Sequence, residues 1–304
     1  MITYEKLCRQ AVAFRCLTGL TVEAFEKLLP AFEQAYERML DEEDGRRRIA
    51  RQRQRGGGRK GILVSRADQL MFILVYFRLY PVQVLQGVLF GMGQPQANMW
   101  IQRLTPVLHE ALGYEQQLPA RQTKDINAVL SQCPGAAFII DGTERPIRRP
   151  QSSERQRSHY SGKKKRHTVK NVVITDKASR KVKALSATAA GKTHDKRLAD
   201  EQQLVFPKDS KLWKDTGFQG YEPADVTTFQ PQKKPKGGQL TDEEKARNRV
   251  ISRERIGVEH SLAGVKVFAI VQAVFRHLKV GFDDVVMAIA CGLHNLRLDY
   301  PLTA

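Results

Sequence analysis

The stretch FIIDGTERP, residues 138–146, decides how this chain folds. Phe138, Ile139 and Ile140 in succession read as a strand buried on both faces. Asp141 at its end then stands at the sheet edge, where open α/β folds bind their ligands. Outward from this strand, expected over 136–141, further strands are expected over 167–175 and 181–190, with a turn at 176–180. A helix begins near Asp195. Leu212, Trp213 and Lys214 form a short strand leading into Asp215, and 227–230 form a fifth. Beyond a loop over 231–239 come a helix over about 243–268 and an amphipathic helix over 283–298. Val286, Ile289, Ala290, Leu293 and Leu296 of the latter face the sheet. Residues 135–304 are thus expected to be an α/β domain.

The first half has helical spacing instead. Leu7, Ala11 and Phe14, then Phe25, Leu28, Leu29 and Phe32, mark a small helical subdomain over 1–45, with Thr21 placed to cap its second helix. From Arg46 to Lys60 there are eight basic residues and no acid, ending near Gly56, Gly57 and Gly58, so 46–61 reads as a flexible basic linker. Helices over 66–79, 82–90 and 94–112, the last two joined by Gly91, Met92 and Gly93, suggest a helix-turn-helix region within 62–118. Gln94, Gln96 and Asn98 open its recognition helix, where amides meet base edges or phosphates, while Trp100, Ile101, Leu104 and Leu108 turn inward. An ordinary helical hairpin has the same pattern.

Fifty Lys and Arg against 32 Asp and Glu leave a formal net charge of +18, which favours a polyanionic partner. The longest apolar run, 70–76, is followed by Arg78 and falls far short of the roughly 20 residues that span a bilayer, so no membrane segment is expected. Cys8, Cys16, Cys133 and Cys291 have no metal-binding spacing and no secretory leader before them, and read as reduced.

Cleavage of phosphodiesters by two divalent ions needs carboxylates converging on metals about 3.5–4 Å apart. Asp141 and Asp215 each end an expected strand, although Asp in such places also forms turns. Arg255, Glu259 and Lys266 fall within roughly 40° of one helix face at about 100° per residue. Beside them Ile251, Val258, Leu262 and Val265 form an apolar stripe that docks the helix on the sheet. The plain alternative is an i,i+4 salt bridge between Arg255 and Glu259.

Arg, three residues, Glu, six residues, Lys resembles the last-helix signature of bacterial insertion-sequence transposases of the family-four and family-five type, with Ser252 where many members have Tyr. FIIDGTERP, YSGKKKRH at 160–167 and KDTGFQG at 214–220 look like the family-five branch and its harbinger-like relatives. The resemblance covers about 60–298. It implies an RNase H-like catalytic domain, a mixed sheet flanked by helices, preceded by an all-α helix-turn-helix region. Asp141, Asp215 and Glu259 are then the catalytic acids and metal ligands, holding two Mg2+ ions for which Mn2+ substitutes. Arg255 and Lys266 are expected to contact DNA or hold Glu259.

Ten basic residues and one acid between Arg145 and Lys170 suggest a wall for DNA phosphates, with Lys163, Lys164, Lys165 and Arg166 in contact. Asp195 or Thr193 reads as a helix cap, with His194 and Asp195 beside the metal ligands. The spacing of His294, Arg297 and Tyr300 argues against a tyrosine recombinase. The expected partner is double-stranded DNA, both the terminal inverted repeats and the target, bound by a homodimer or larger assembly in the bacterial cytoplasm at the nucleoid. A DNA-binding protein descended from a transposase, and a nuclease that cuts without joining, are the alternatives.

Overall fold

A computed structural model describes residues 1–46, 61–133, 135–235 and 237–301. The stretch expected as a basic linker lies, from 47 to 60, outside them. The chain forms two compact units, the first Met1–Leu118 with Val267–Ile270 and Asp299–Ala304, the second Pro119–Lys266 with Val271–Leu298.

The first unit contains α1 (Tyr4–Leu7), α2 (Ala11–Thr18), α3 (Val22–Gly45), α4 (Arg66–Leu79), α5 (Gln83–Phe90) and α6 (Gln94–Tyr114). Thr21 caps α3 by accepting from the Ala24 amide. α4 is buried along most of its length, from Gln69 through Phe77, so it shows no polar face; it is the central helix of the unit, with α2, α3 and α6 against it. α5 passes through a short turn at Gly91, Met92 and Gly93 into α6, the helix-turn-helix arrangement. Gly87 makes that turn possible, because a Cβ there would lie 2.4 Å from the Met92 carbonyl oxygen.

The second unit is α/β. It runs α7 (Thr123–Ser131), β1 (Ala137–Pro146), α8 (Ser153–His159), β2 (Tyr160–Ser161), β3 (Arg166–Asp176), β4 (Val182–Leu185), β5 (Ala189–Ala190), α9 (Asp195–Glu201), β6 (Ser210–Trp213), β7 (Val226–Phe229), α10 (Asp242–Lys266) and α11 (Phe282–Asp299). The sheet order is β2-β3-β1-β6-β7, with β4 and β5 also on β3. β1 pairs antiparallel with β3 and parallel with β6. Period-two alternation divides its apolar residues between two cores. Phe138 and Ile140 meet Leu198, Phe206, Leu212 and Phe218 on one face. Ile139 and Trp213 meet Ile251 and Val258 of α10 on the other. On α11, Asn295 exchanges two hydrogen bonds with the backbone of Val182, which fastens the helix to β4.

Two strand expectations need correction. β1 does not stop at Asp141 but continues to Pro146, because β3 stays paired with it along the whole length. The strand expected over 181–190 is broken into β4 and β5, with a register shift at Ile174 and Thr175 on β3.

Candidate active site

The parallel pairing of β1 with β6 ends at the rung Ile139↔Trp213. Asp141 and Asp215 each lie two residues beyond that rung, so alternation returns both to the face of Ile139 and Trp213, beneath α10. The correction to β1 therefore leaves the placement of Asp141 intact: it is mid-strand on the β3 side, yet beyond the last rung on the β6 side. Asp215 folds into the turn that follows, its side chain accepting from the Gly217 amide at 2.7 Å.

The two acids sense one another. Burial first, and Asp215 second, push the Asp141 carboxyl up to about 6, against the pull of Arg255 and the Gly142 amide. Arg255 of α10 reaches Asp141 Oδ1 at 3.9 Å. Asp195 adds a third negative charge to the neighbourhood. It is the first residue of α9, and His194 occupies the cap position without a side-chain cap bond, so the cap expected of Asp195 or Thr193 is not formed. The Asp195 carboxylate lies instead over Gly142 and Gly217.

Lys170 is its counter-charge. The Lys170 ammonium is buried, 3.1 Å from Asp195 Oδ1 and 3.5 Å from Glu144 Oε1, and donates to the Thr193 carbonyl. Glu144 and Lys170 are directly opposed in the β1–β3 register, a cross-strand pair that the run of basic residues concealed. Arg145 also turns inward, bonding the Asp283 carbonyl and Asn171. Of the expected basic wall, Lys163, Lys164 and Lys165 are exposed between β2 and β3, and Arg166 is exposed at the start of β3.

Glu259 is exposed one turn beyond Arg255, and no contact joins it to Asp141 or Asp215 among the described residues. Lys266 is half-buried at the end of α10, and His194 is exposed. In the first unit, Gln94 and Asn98 are both hydrogen-bonded to Gln83 of α5, while Gln96 is partly exposed. His294 and Arg297 serve α11 packing, the first against the Arg180 carbonyl and the second donating to Gly264.

Among the described residues, no three acids, histidines or cysteines stand close enough to cage a metal ion. The donors nevertheless suit a hard cation, being carboxylate oxygens that repel one another in a partly buried place. The space that a Cβ of Gly217 would fill is 2.8 Å from Asp195 Oδ2 and 2.9 Å from Asp215 Oδ1. Asp195 Oδ1 is buried and, despite the ion pair with Lys170, accepts no hydrogen bond.

The mixed sheet thus presents two aspartates past the last rung between β1 and β6, in a chain that also carries a helix-turn-helix unit. The chain belongs to the DDE superfamily endonucleases, whose family model matches residues 140–295. The helix-turn-helix of the same superfamily matches residues 63–113. The chain is similar to a protein of Microchaete diplosiphon described as a probable transposase for insertion sequence element IS702, with 27% identity over 281 residues, 92% of this chain and 96% of that relative. No solved structure matches it. Divalent metal ions are general to the superfamily, and no helix among the described residues is long and apolar enough to cross a membrane.

Proposed function

We propose that this chain is a transposase that binds the terminal inverted repeats of an insertion sequence, cuts the DNA beside them and joins the freed 3′ ends to a target. The observation that carries the reading is the placement of Asp141 and Asp215 two residues past the rung Ile139↔Trp213. Asp141, Asp215 and Glu259 are the acids that would hold two Mg2+ ions, with Mn2+ able to substitute. Such ions activate the attacking oxygen and stabilise the leaving one.

The protein's own groups do the rest by position. Arg255 limits the repulsion at Asp141 and offers a cation to the phosphate that must approach two carboxylates. Lys266 presents a second cation on α10. Lys163, Lys164, Lys165 and Arg166 hold flanking phosphates without reading bases. Residues 62–118 supply the DNA-binding region, with Gln96 and the Gln94–Gln83–Asn98 chain of amides at the start of α6 facing the duplex. Pairing of two element ends requires at least two copies of the chain.

Purified protein given Mg2+ or Mn2+ and DNA bearing its element's own ends should nick that DNA and join it to a target. Asp141→Ala should abolish both steps and leave binding intact. Cleavage by that variant would overturn the assignment, and cut ends that never join would reduce the protein to a nuclease.

A further inference from the structure

Open α/β sheets take their ligands past the carboxyl ends of their parallel strands, and Asp215 is not the last feature along that edge. β7 runs parallel to β6 as far as the rung Trp213↔Phe229. The chain leaves β6 through Asp215 and Thr216, and leaves β7 through Gln230. Between these two exits and α10 lies a cleft of about 260 Å3, lined by Thr216, Gln219, Gln230, Gln232, Lys233 and Arg247. It is braced against the candidate catalytic acid. The Gln230 side-chain amide donates to the Asp215 carbonyl at 2.5 Å, and Thr216 follows Asp215 directly. Gln232 is tied to α10 three times. Its backbone amide donates to Asn248 Oδ1 at 2.8 Å, its carbonyl accepts from Asn248 Nδ2 at 3.0 Å, and its side chain donates to Glu244 Oε1 at 2.7 Å. Arg247 stands one turn before Ile251, which packs with Trp213, so it continues the face of α10 that docks on the sheet.

Lys233 and Arg247 set the charge of what the cleft can take. Among the described residues neither side chain has a hydrogen-bond or ion-pair partner. Glu244, the acid nearest to Arg247 along α10, is occupied by Gln232 and the Thr241 amide. Two uncompensated cations in one cleft suit a phosphate. Thr216 and Gln219 add groups that both donate and accept, as a base edge requires. Size decides the form of the strand. The cleft is smaller than the roughly 300–1,000 Å3 of ordinary ligand pockets, which leaves room for one nucleotide and none for a base pair. We infer that this cleft binds one unpaired nucleotide of the DNA strand that passes Asp215, its phosphate held by Lys233 and Arg247 and its base edge by Thr216 and Gln219. The inference rests on the endonuclease reading above.

The test is fluorescence anisotropy on the full chain in EDTA, so that binding is read without cutting. One probe is a fully paired duplex of the element's end, and the other is the same duplex with one strand extended by a short oligo(dT) tail. Wild type should bind the tailed duplex about tenfold more tightly, the worth of one charge-assisted contact. Arg247→Gln, exposed on a helix and similar in helix propensity, should keep the fold and reduce that ratio to about twofold. Lys233→Gln should reduce it less, and Gln219→Ala by about threefold, as a neutral hydrogen bond predicts. Equal affinity of wild type for the two probes, or a ratio that Arg247→Gln leaves unchanged, overturns this inference alone. A ratio unchanged in Gln219→Ala overturns the contact to the base. Wild type that binds neither probe, and cuts neither once Mg2+ is restored, overturns the endonuclease reading and this inference with it.

Discussion

Arg255 turns from α10 toward Asp141, its Nη2 3.9 Å from Oδ1, rather than along its own helix to Glu259. That single cation does not offset what Asp141 loses by burial beside Asp215, since the carboxyl is pushed up to about 6 from its ordinary 3.8. With the folded value above the unfolded one, the native state keeps a proton in the interval between them. Its stabilising effect is full below pH 3.8 and lost as pH rises through about 6. Asp141→Asn should therefore stabilise the metal-free protein at pH 7, on the order of 1–3 kcal/mol, and by progressively less toward pH 4. Urea unfolding of both proteins across that range checks the sign. A variant no more stable than wild type at pH 7 would contradict it.

Two glycines near the same acids should respond oppositely to alanine. At Gly142 the new methyl collides with the Asp195 carboxylate, 2.5 Å from Oδ1. The end of a short side chain can swing away, so the stability cost should stay near 1 kcal/mol, the low end of overpacking, while DNA cleavage falls at least tenfold. Gly257 sits inside α10, where a methyl would meet only Ile139 Cδ1 at an ordinary 3.6 Å. Gly257→Ala should stabilise the protein by about 0.5–1 kcal/mol through helix propensity. Thermal unfolding and a cleavage assay on the two variants separate the effects.

These contrasts show where the sequence was readable. The run Phe138–Ile140 announced a buried strand because both faces demand apolar residues, and Asp215 after Leu212 and Trp213 followed the same logic. The continuation of β1 through Gly142 to Pro146 did not show, since its buried members are Thr143 and Arg145, whose partner Asn171 is remote in sequence. Local periodicity also placed Arg255 and Glu259 on one helix face but said nothing of which strand that face would meet. Lys170 looked like one more base in a basic run because its partners, Glu144 and Asp195, are supplied by another strand and another helix. Asp195 itself reads in the sequence as a helix cap beside the metal ligands, with nothing to say what it touches. Its neighbours Gly142 and Gly217 are brought to it by the sheet, which no spacing along the chain encodes.

The exposed cluster between β2 and β3 makes a prediction about salt rather than structure. Lys163, Lys164 and Lys165 are exposed, and each phosphate they neutralise releases counterions. Changing all three to Gln should weaken DNA binding uniformly across sequences and reduce the slope of log affinity against log salt by up to about 3. Fluorescence anisotropy at several salt concentrations measures this. An unchanged slope would remove the cluster from the DNA interface.

Lys214 and Glu222 invert the usual expectation for a half-exposed ion pair. The Glu222 side chain is 61% exposed, but Lys214 is 0% exposed and bonds both Glu222 Oε1 and the Tyr221 carbonyl. Removing the acid strands a buried ammonium with one neutral acceptor, whereas removing the lysine returns a surface carboxylate to water. Glu222→Ala should therefore cost about 3 kcal/mol or more, well beyond the 0–1 kcal/mol of an exposed pair, and more than Lys214→Met. Denaturant titration of the two variants ranks them, and the reverse order would refute the argument.

His294 gives the second unit an acid limit of its own. Its ring packs so near Gly264 of α10 that a Cβ there would lie 2.4 Å from Nδ1, and Nε2 faces the Arg180 carbonyl at 3.2 Å. Burial, aided by Arg297, holds its pKa down to about 4 from the ordinary 6.5, although the Arg180 carbonyl favours the proton. Between those values the unfolded chain binds a proton that the folded chain refuses, so stability falls as the pH drops from 6.5 toward 4. The loss attributable to this one ring should reach roughly 3 kcal/mol by the lower limit. His294→Gln keeps a donor for Arg180 but cannot charge. It should begin less stable at pH 7 and lose less on acidification, so that the two curves of unfolding free energy against pH converge toward pH 4. Parallel curves would mean that His294 is not the group that limits the fold in acid.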